Sequence, residues 1–447
     1  MKTVDVGLMM DEGPWRGYQK LLVLSTALAI VLDGVDNQLL SVSIPGMMKE
    51  WGLTRAPFTH VAASGFVGMM IGGAVAGILG DRFGRRKALL GSVFTFALVT
   101  CAIVFVGNVW VLAGLRFLGG LGLGGAMPNA AALASEYVPR RYRPIAVTLT
   151  VVCIPLGGSV AGLVGARLLP TWGWRALFAV GGALPIVLGI ILLFTLPESP
   201  RFLARQRARW SELRALLRRL GHSVPEDAEF TDPAEAAPTT SMRELTVAEF
   251  RRDTIALSAA FFFCLLAAYA SVSWLPSMLA AIGFDPASSS NGLLAWNLGG
   301  VGGALIGAGI VTRLGSRTTM IAMCIGAVAG ALLIRGIAMP TPSLTIFMLF
   351  AWTGGLINGV QTLMYALAAN VYPATIRATG VGTAVAFGRI GGVVSAYAGL
   401  ASGLAALFAL LAGLMGIVAI ALAVIRRHIP RVVTGAAPAG VYARARI

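Results

Sequence analysis

Two aspartates stand deep inside a strongly apolar stretch, in Val31-Leu32-Asp33-Gly34-Val35-Asp36-Asn37-Gln38. An ionised carboxylate at bilayer depth costs about 2.5–3.5 kcal/mol or more, so a pair of them demands a purpose. Spaced i and i+3, they share one face of a helix, with Asn37 turned towards the same side. Burial and mutual repulsion would make the two titrate as a unit. A proton-coupling group needs that behaviour. The structural alternative is a carboxylate that bonds freed backbone beside Gly34, or that pairs with an arginine. Of the 19 acidic residues, the others fall in loops or at the ends of apolar runs.

Two arginines are also placed within apolar runs, Arg116 and Arg389. A guanidinium held at such depth pairs bidentately with a carboxylate, supplied by one of the aspartates or by an anionic substrate. Asn37, Asn129, Trp296, Asn297, Trp352, Asn358, Gln361, Tyr365 and Phe387 lie at comparable depth. Each alone is more often a packing residue than a ligand contact. As a set they suit a small, partly aromatic ligand with polar handles. The four cysteines lie in apolar runs without metal-ligand spacing, and the three histidines fall at helix edges or in loops. No metal site is expected, and no catalytic constellation for an enzyme is present.

The elements that must position these groups are membrane helices. Hydrophobic residues make up 57% of the 447 and charged ones 12%, against about 25% charged in ordinary soluble domains. The 56 glycines suit closely packed membrane helices. The apolar runs predict an all-α integral membrane fold of twelve transmembrane helices in two six-helix repeats. The domains read as a cytoplasmic N-terminus over 1–20, a first bundle over 21–196, a cytoplasmic linker over 197–253, a second bundle over 254–425 and a cytoplasmic tail over 426–447. With both termini inside, 28 of the 35 Lys and Arg fall on one side, as the positive-inside rule requires. No cleaved signal peptide is expected. Asp81-Arg82-Phe83-Gly84-Arg85-Arg86 has a worn echo 231 residues later in Thr312-Arg313-Leu314-Gly315-Ser316-Arg317. Paired repeats joined by a long inner loop describe a transporter whose halves rock about a midplane site. The linker, basic at Arg205-Gln206-Arg207-Ala208-Arg209 and acidic from Glu226 to Glu235, is read as a solvated stretch on the inner lipid surface. Its residues 223–240 are read as disordered, and a regulatory partner site is the sharper alternative.

The run Gly77-Ile78-Leu79-Gly80-Asp81-Arg82-Phe83-Gly84-Arg85-Arg86-Lys87 resembles the signature loop between the second and third helices of the major facilitator superfamily. The resemblance implies a conformational latch built from Gly77, Asp81, Arg82, Gly84, Arg85 and Arg86. Glu136 is its acidic partner and is expected to pair with Arg85. Asp33-Gly34-Val35-Asp36 is similar to the D-G-x-D marker of the aromatic acid:proton symporters in that superfamily. The fourth span from Leu115 to Asn129 and Trp274-Leu275-Pro276 are similar to theirs too. In that family both aspartates are needed for uptake, which assigns proton coupling to Asp33 and Asp36.

The implied function is import of a small aromatic carboxylate, such as a hydroxybenzoate, by proton symport at the cell inner membrane. No cofactor beyond the proton gradient is expected. The partners are the aromatic acid, protons and membrane lipid, with no nucleic acid and a monomer as the working unit. Pro197-Glu198-Ser199-Pro200-Arg201 resembles sugar porters, and Ile154-Pro155-Leu156-Gly157-Gly158 nearly matches proton-driven drug exporters. Export of drugs or metabolites, or transport of a sugar or another organic acid, is therefore the alternative. A non-transporting sensor on the same fold ranks below these, and an enzyme lowest.

Overall fold

The computed structural model describes residues 3–222, 224–225, 228–232, 245, 247–337, 341–373 and 376–431. A short strand β1 (Thr3–Asp5) and helix α1 (Val6–Glu12) precede five long elements: α2 (Gly17–Trp51), α3 (Ala56–Phe83), α4 (Arg85–Ile103), α5 (Val109–Tyr137) and α6 (Arg143–Thr195). The linker holds α7 (Pro200–Ala204), α8 (Trp210–Arg219) and strand β2 (Glu229–Thr231). The second half comprises α9 (Ala248–Ala281), α10 (Pro286–Leu314), α11 (Ser316–Gly336), α12 (Leu344–Val371), α13 (Arg377–Ser395) and α14 (Leu404–Val424).

Among the described residues, eleven helices are long and apolar enough to cross a membrane. One of them, α6, runs for 53 residues and is broken at Gly173, which takes φ 69°. Unbroken it would be about 80 Å long at 1.5 Å per residue, far beyond a hydrocarbon core of about 30 Å. Its arms, 143–172 and 174–195, therefore make two crossings, and the protein is a multi-pass membrane protein.

The two halves repeat one packing scheme. A Cβ on Gly72 of α3 would stand 2.1 Å from the Leu121 carbonyl oxygen of α5, and one on Gly303 of α10 would stand 1.9 Å from the Gly355 carbonyl oxygen of α12. Residues 72 and 303 are again 231 apart. The tight turns after α3 and α10 use the same device, Gly84 at φ 108° and Gly315 at φ 79°. Small residues let the helix backbones touch where lipid supplies no hydrophobic drive between helices.

The side of the bilayer that carries the linker is called the linker side below, and the other the far side. The halves meet through α2 with α9, the first arm of α6 with α10, and α3 with α13. These contacts cluster from the middle of the bilayer to the far side. Arg55 Nη1 donates to Met278 Sδ, the His60 and Tyr397 rings are 6.0 Å apart, and Gly162 backs onto Ser290 and Leu294. On the linker side, none of these ion pairs among the described residues joins one half to the other.

The linker differs from its sequence reading. β1 pairs in parallel with β2, Val4 opposite Phe230. Together with α1, α7 and α8 they enclose a small apolar core that includes Val6, Met10, Leu213, Leu217 and Phe230. The apolar face of α8 is used up in that core and does not lie on lipid. Asp11 ties the assembly to the bundle through Arg143 and pairs within the assembly with Arg201. Part of the acidic patch from Glu226 to Glu235, and residues 432–447 of the tail, lie outside the described residues.

Candidate functional site

A cavity lies between the halves at mid-depth. Its wall takes Asp33 and Asn37 from α2, Asn297 from α10, Asn358, Gln361 and Tyr365 from α12, and Arg389 from α13. These seven, all expected from sequence, are brought together by the fold.

The aspartates separate. Three residues turn a helix by 300°, leaving 60° between side chains, and here that gap decides their surroundings. Asp33 faces the cavity, and its Oδ1 has no hydrogen-bond partner among the described residues. Asp36 is fully buried between helices, where Thr100 Oγ1 donates to its Oδ1 and Arg116 Nη1 lies 3.4 Å from its Oδ2. Arg116 is thus held by Asp36. It borders a small side recess that it shares with Asn37.

Arg389 crosses the seam. Its Nη1 donates to the Met69 carbonyl oxygen of α3 at 2.6 Å, and both it and Asp33 line the cavity. A carboxylate on one half and a guanidinium on the other therefore face one polar space.

Besides Arg116, four expected contacts do not reach the cavity. Trp352 and Phe387 are 59% and 47% exposed on the outer surface of the bundle, where the membrane lies. Trp296 is fully buried against Gly354 and the Phe408 ring, 6.2 Å away. Asn129 donates to the Ala76 and Gly125 carbonyl oxygens, which fastens α5 to α3. A period of 3.6 residues places each on a helix face, but sequence alone does not say which face the neighbouring helix covers.

Other cavity residues escaped the sequence reading: Gln38, Phe66, Met69, Tyr269 and Thr362. Phe66 and Tyr269 come from opposite halves with ring centroids 4.9 Å apart. The available signals were Gln38 following Asn37 directly and a lone tyrosine in the apolar run of α9.

At the linker side, Arg85 pairs with Asp81 one turn earlier and not with Glu136. Glu136 accepts a hydrogen bond from Ser199 Oγ instead. The loop closes on Glu198, whose Oε1 accepts from the Arg86 and Ser199 backbone amides at 2.9 and 3.0 Å. A Cβ on Gly84 would stand 2.2 Å from Glu198 Oε2, so the glycine is needed for this approach. Arg86 also donates to the Leu193 carbonyl oxygen. Gly77 meets nothing, and Arg82 is exposed over the Phe83 ring. The Pro197-Glu198-Ser199-Pro200 run thus packs against the signature loop, a contact its sequence did not suggest.

Two helical halves around a shared mid-membrane cavity define a secondary-transporter fold. The Major Facilitator Superfamily profile matches residues 26–396. A gallate transporter of Pseudomonas putida is 35% identical over 403 residues, covering 89% of this chain and 88% of that protein. The 4-hydroxybenzoate transporter PcaK of Pseudomonas putida is 31% identical over 402 residues, covering 89% of each. Among solved structures, the inward-open xylose transporter XylE from E. coli superposes with a TM-score of 0.72 at 19% identity, over 92% of this chain and 97% of that one. That likeness shows the fold. The chain belongs to the Major Facilitator Superfamily, and its relatives within it are, by name, transporters of aromatic acids.

Proposed function

We propose that the protein is a proton symporter that imports a small aromatic carboxylate across the cell inner membrane by alternating access. The observation that carries this is Asp33 and Arg389 facing one cavity from opposite halves. Arg389 receives the substrate carboxylate bidentately, with the aromatic ring near Tyr269, Phe66 and Tyr365. Asn37, Asn358 and Gln361 meet ring hydroxyls. Asp33, with an unpartnered oxygen, carries the proton. Bringing one proton and one monoanion to this pair leaves it no more charged than before, which lowers the cost of closing the cavity. The names of the relatives support an aromatic acid in this role.

In this reading the linker side is cytoplasmic, since the basic clusters at the linker-side ends of the helices follow the positive-inside rule. The structure is then an inward-facing state, sealed on the far side. No cofactor takes part, and one copy of the chain suffices.

The test is uptake of radiolabelled gallate, 4-hydroxybenzoate and benzoate by cells expressing the protein, with and without a protonophore. Accumulation of at least one acid should collapse with protonophore and in Asp33→Asn. Asp33→Asn should still exchange labelled for unlabelled substrate. No accumulation of any of these acids by correctly inserted protein would sink the reading, and drug export or sugar transport would be tested next.

A further inference from the structure

Away from the central cavity, a groove runs along the membrane surface of the first half. Its one wall is Ile71, Val75, Leu79 and Phe83, at four-residue intervals on α3; all four are exposed. The other wall is the face of α4 with Ala88, Gly91 and Thr95, and Gly122 of α5 forms the floor. The groove exists because α3 and α4 diverge after their turn at Gly84, while each packs on α5.

We propose that this groove is a binding site for an anionic phospholipid of the linker-side leaflet. Four features select that occupant. The groove faces the membrane, so a lipid tail and not water covers it. Its length from Ile71 to Phe83 is about 18 Å at 1.5 Å per residue, close to the ~15 Å of one leaflet of a ~30 Å core. Its only hydroxyl wall group beside the buried Ser92, Thr95 Oγ1, already donates to the Gly91 carbonyl oxygen at 2.7 Å. At the headgroup end stands exposed Lys87, which makes no ion pair among the described residues, with Arg82 on the adjacent turn. Asp81, the nearby acid, is paired with Arg85. An acyl tail in the groove thus places its phosphate against uncompensated positive charge.

The site is tested on the purified full-length protein by native mass spectrometry. Bound phosphatidylglycerol is titrated against phosphatidylcholine of the same acyl chains. Wild type should hold phosphatidylglycerol more tightly. Lys87→Gln should lose about fivefold of that preference, as one basic group near an anionic surface implies. Arg313→Gln, a basic helix end in the other half, is the control and should lose none. Gly91→Leu should displace both lipids: a Cβ there meets nothing within 4 Å, so the side chain fills the groove without disturbing the helices. Equal binding of the two lipids by wild type, or an unchanged preference in Lys87→Gln, would overturn the proposal. So would an effect of Arg313→Gln as large as that of Lys87→Gln.

Discussion

Gln38 of α2 and Asn297 of α10 exchange two hydrogen bonds across the seam between the halves. Gln38 Nε2 donates to Asn297 Oδ1 at 3.1 Å, and Asn297 Nδ2 donates to Gln38 Oε1 at 2.7 Å. Both side chains are buried, and Gly158 lies so close that a Cβ there would meet Gln38 Nε2 at 2.2 Å. The pair roofs the cavity below the far side, so the alternating access proposed above requires it to part. Replacing both with leucine should ease that opening by about 1–2 kcal/mol, roughly 5- to 30-fold in population. Labelling of Ser290→Cys, in a background without Cys101, Cys153, Cys264 and Cys324, reads the opening directly. An unaltered labelling rate in the double variant would remove the pair from the gate.

Asp33 and Asp36 should respond differently to neutralisation. Asp36→Asn leaves Arg116 buried without its counter-charge, a loss of about 3–5 kcal/mol for a buried pair broken on one side. The expected outcome is a lower unfolding temperature in detergent and less inserted protein. Changing Asp36 and Arg116 together to leucine should restore much of that stability. Asp33→Asn should leave the unfolding temperature nearly unchanged while abolishing accumulation. If Asp36→Asn is as stable as wild type, the division of labour between the two carboxylates is wrong.

The bundle was legible in the sequence because apolar runs, helix-breaking glycines and basic loop residues are local signals. The 231-residue echo in the loop residues reappears as Gly84 with Gly315, and the packing glycines Gly72 and Gly303 keep the same spacing. The charged pair of the cavity was legible too, since ionisable groups at such depth are few. The orientation of each side chain was not. Trp352 and Asn358 lie six residues apart on α12, yet one faces lipid and the other the cavity. The folded linker was hidden because β1 and β2 are three residues each and pair across more than 220 positions. Neither strand carries a periodic pattern long enough to be read.

Glu198 should matter more to stability than Asp81, although Asp81 belongs to the signature loop and Glu198 does not. Glu198 is 1% exposed and caps the first turn of α4 through the Arg86 amide. Asp81 is 65% exposed in its pair with Arg85. Losing a charged acceptor from a buried site costs about 1.5–3 kcal/mol, whereas an exposed pair is worth about 0–1 kcal/mol. Glu198→Ala should therefore lower the unfolding temperature clearly, and Asp81→Asn little. The reverse order would show that Glu198 does not anchor the loop.

His222 gives the N-terminal and linker subdomain a pH dependence. The ring is half-buried against Gly13, and burial, reinforced by the nearby Arg16 guanidinium, holds it below the usual histidine range. The folded form therefore favours the neutral ring, while the unfolded chain takes up a proton near pH 6.5. With more protons bound when unfolded, stability rises with pH. It is fully present above about pH 6.5 and declines as pH falls from there towards the lower folded value. Hydrogen exchange of residues 3–12 and 210–222 should accelerate between pH 7.5 and 5.5, after correction for intrinsic rates. His222→Gln should flatten that response while leaving the transmembrane helices unaffected. An identical acceleration in His222→Gln would assign the pH response to another group.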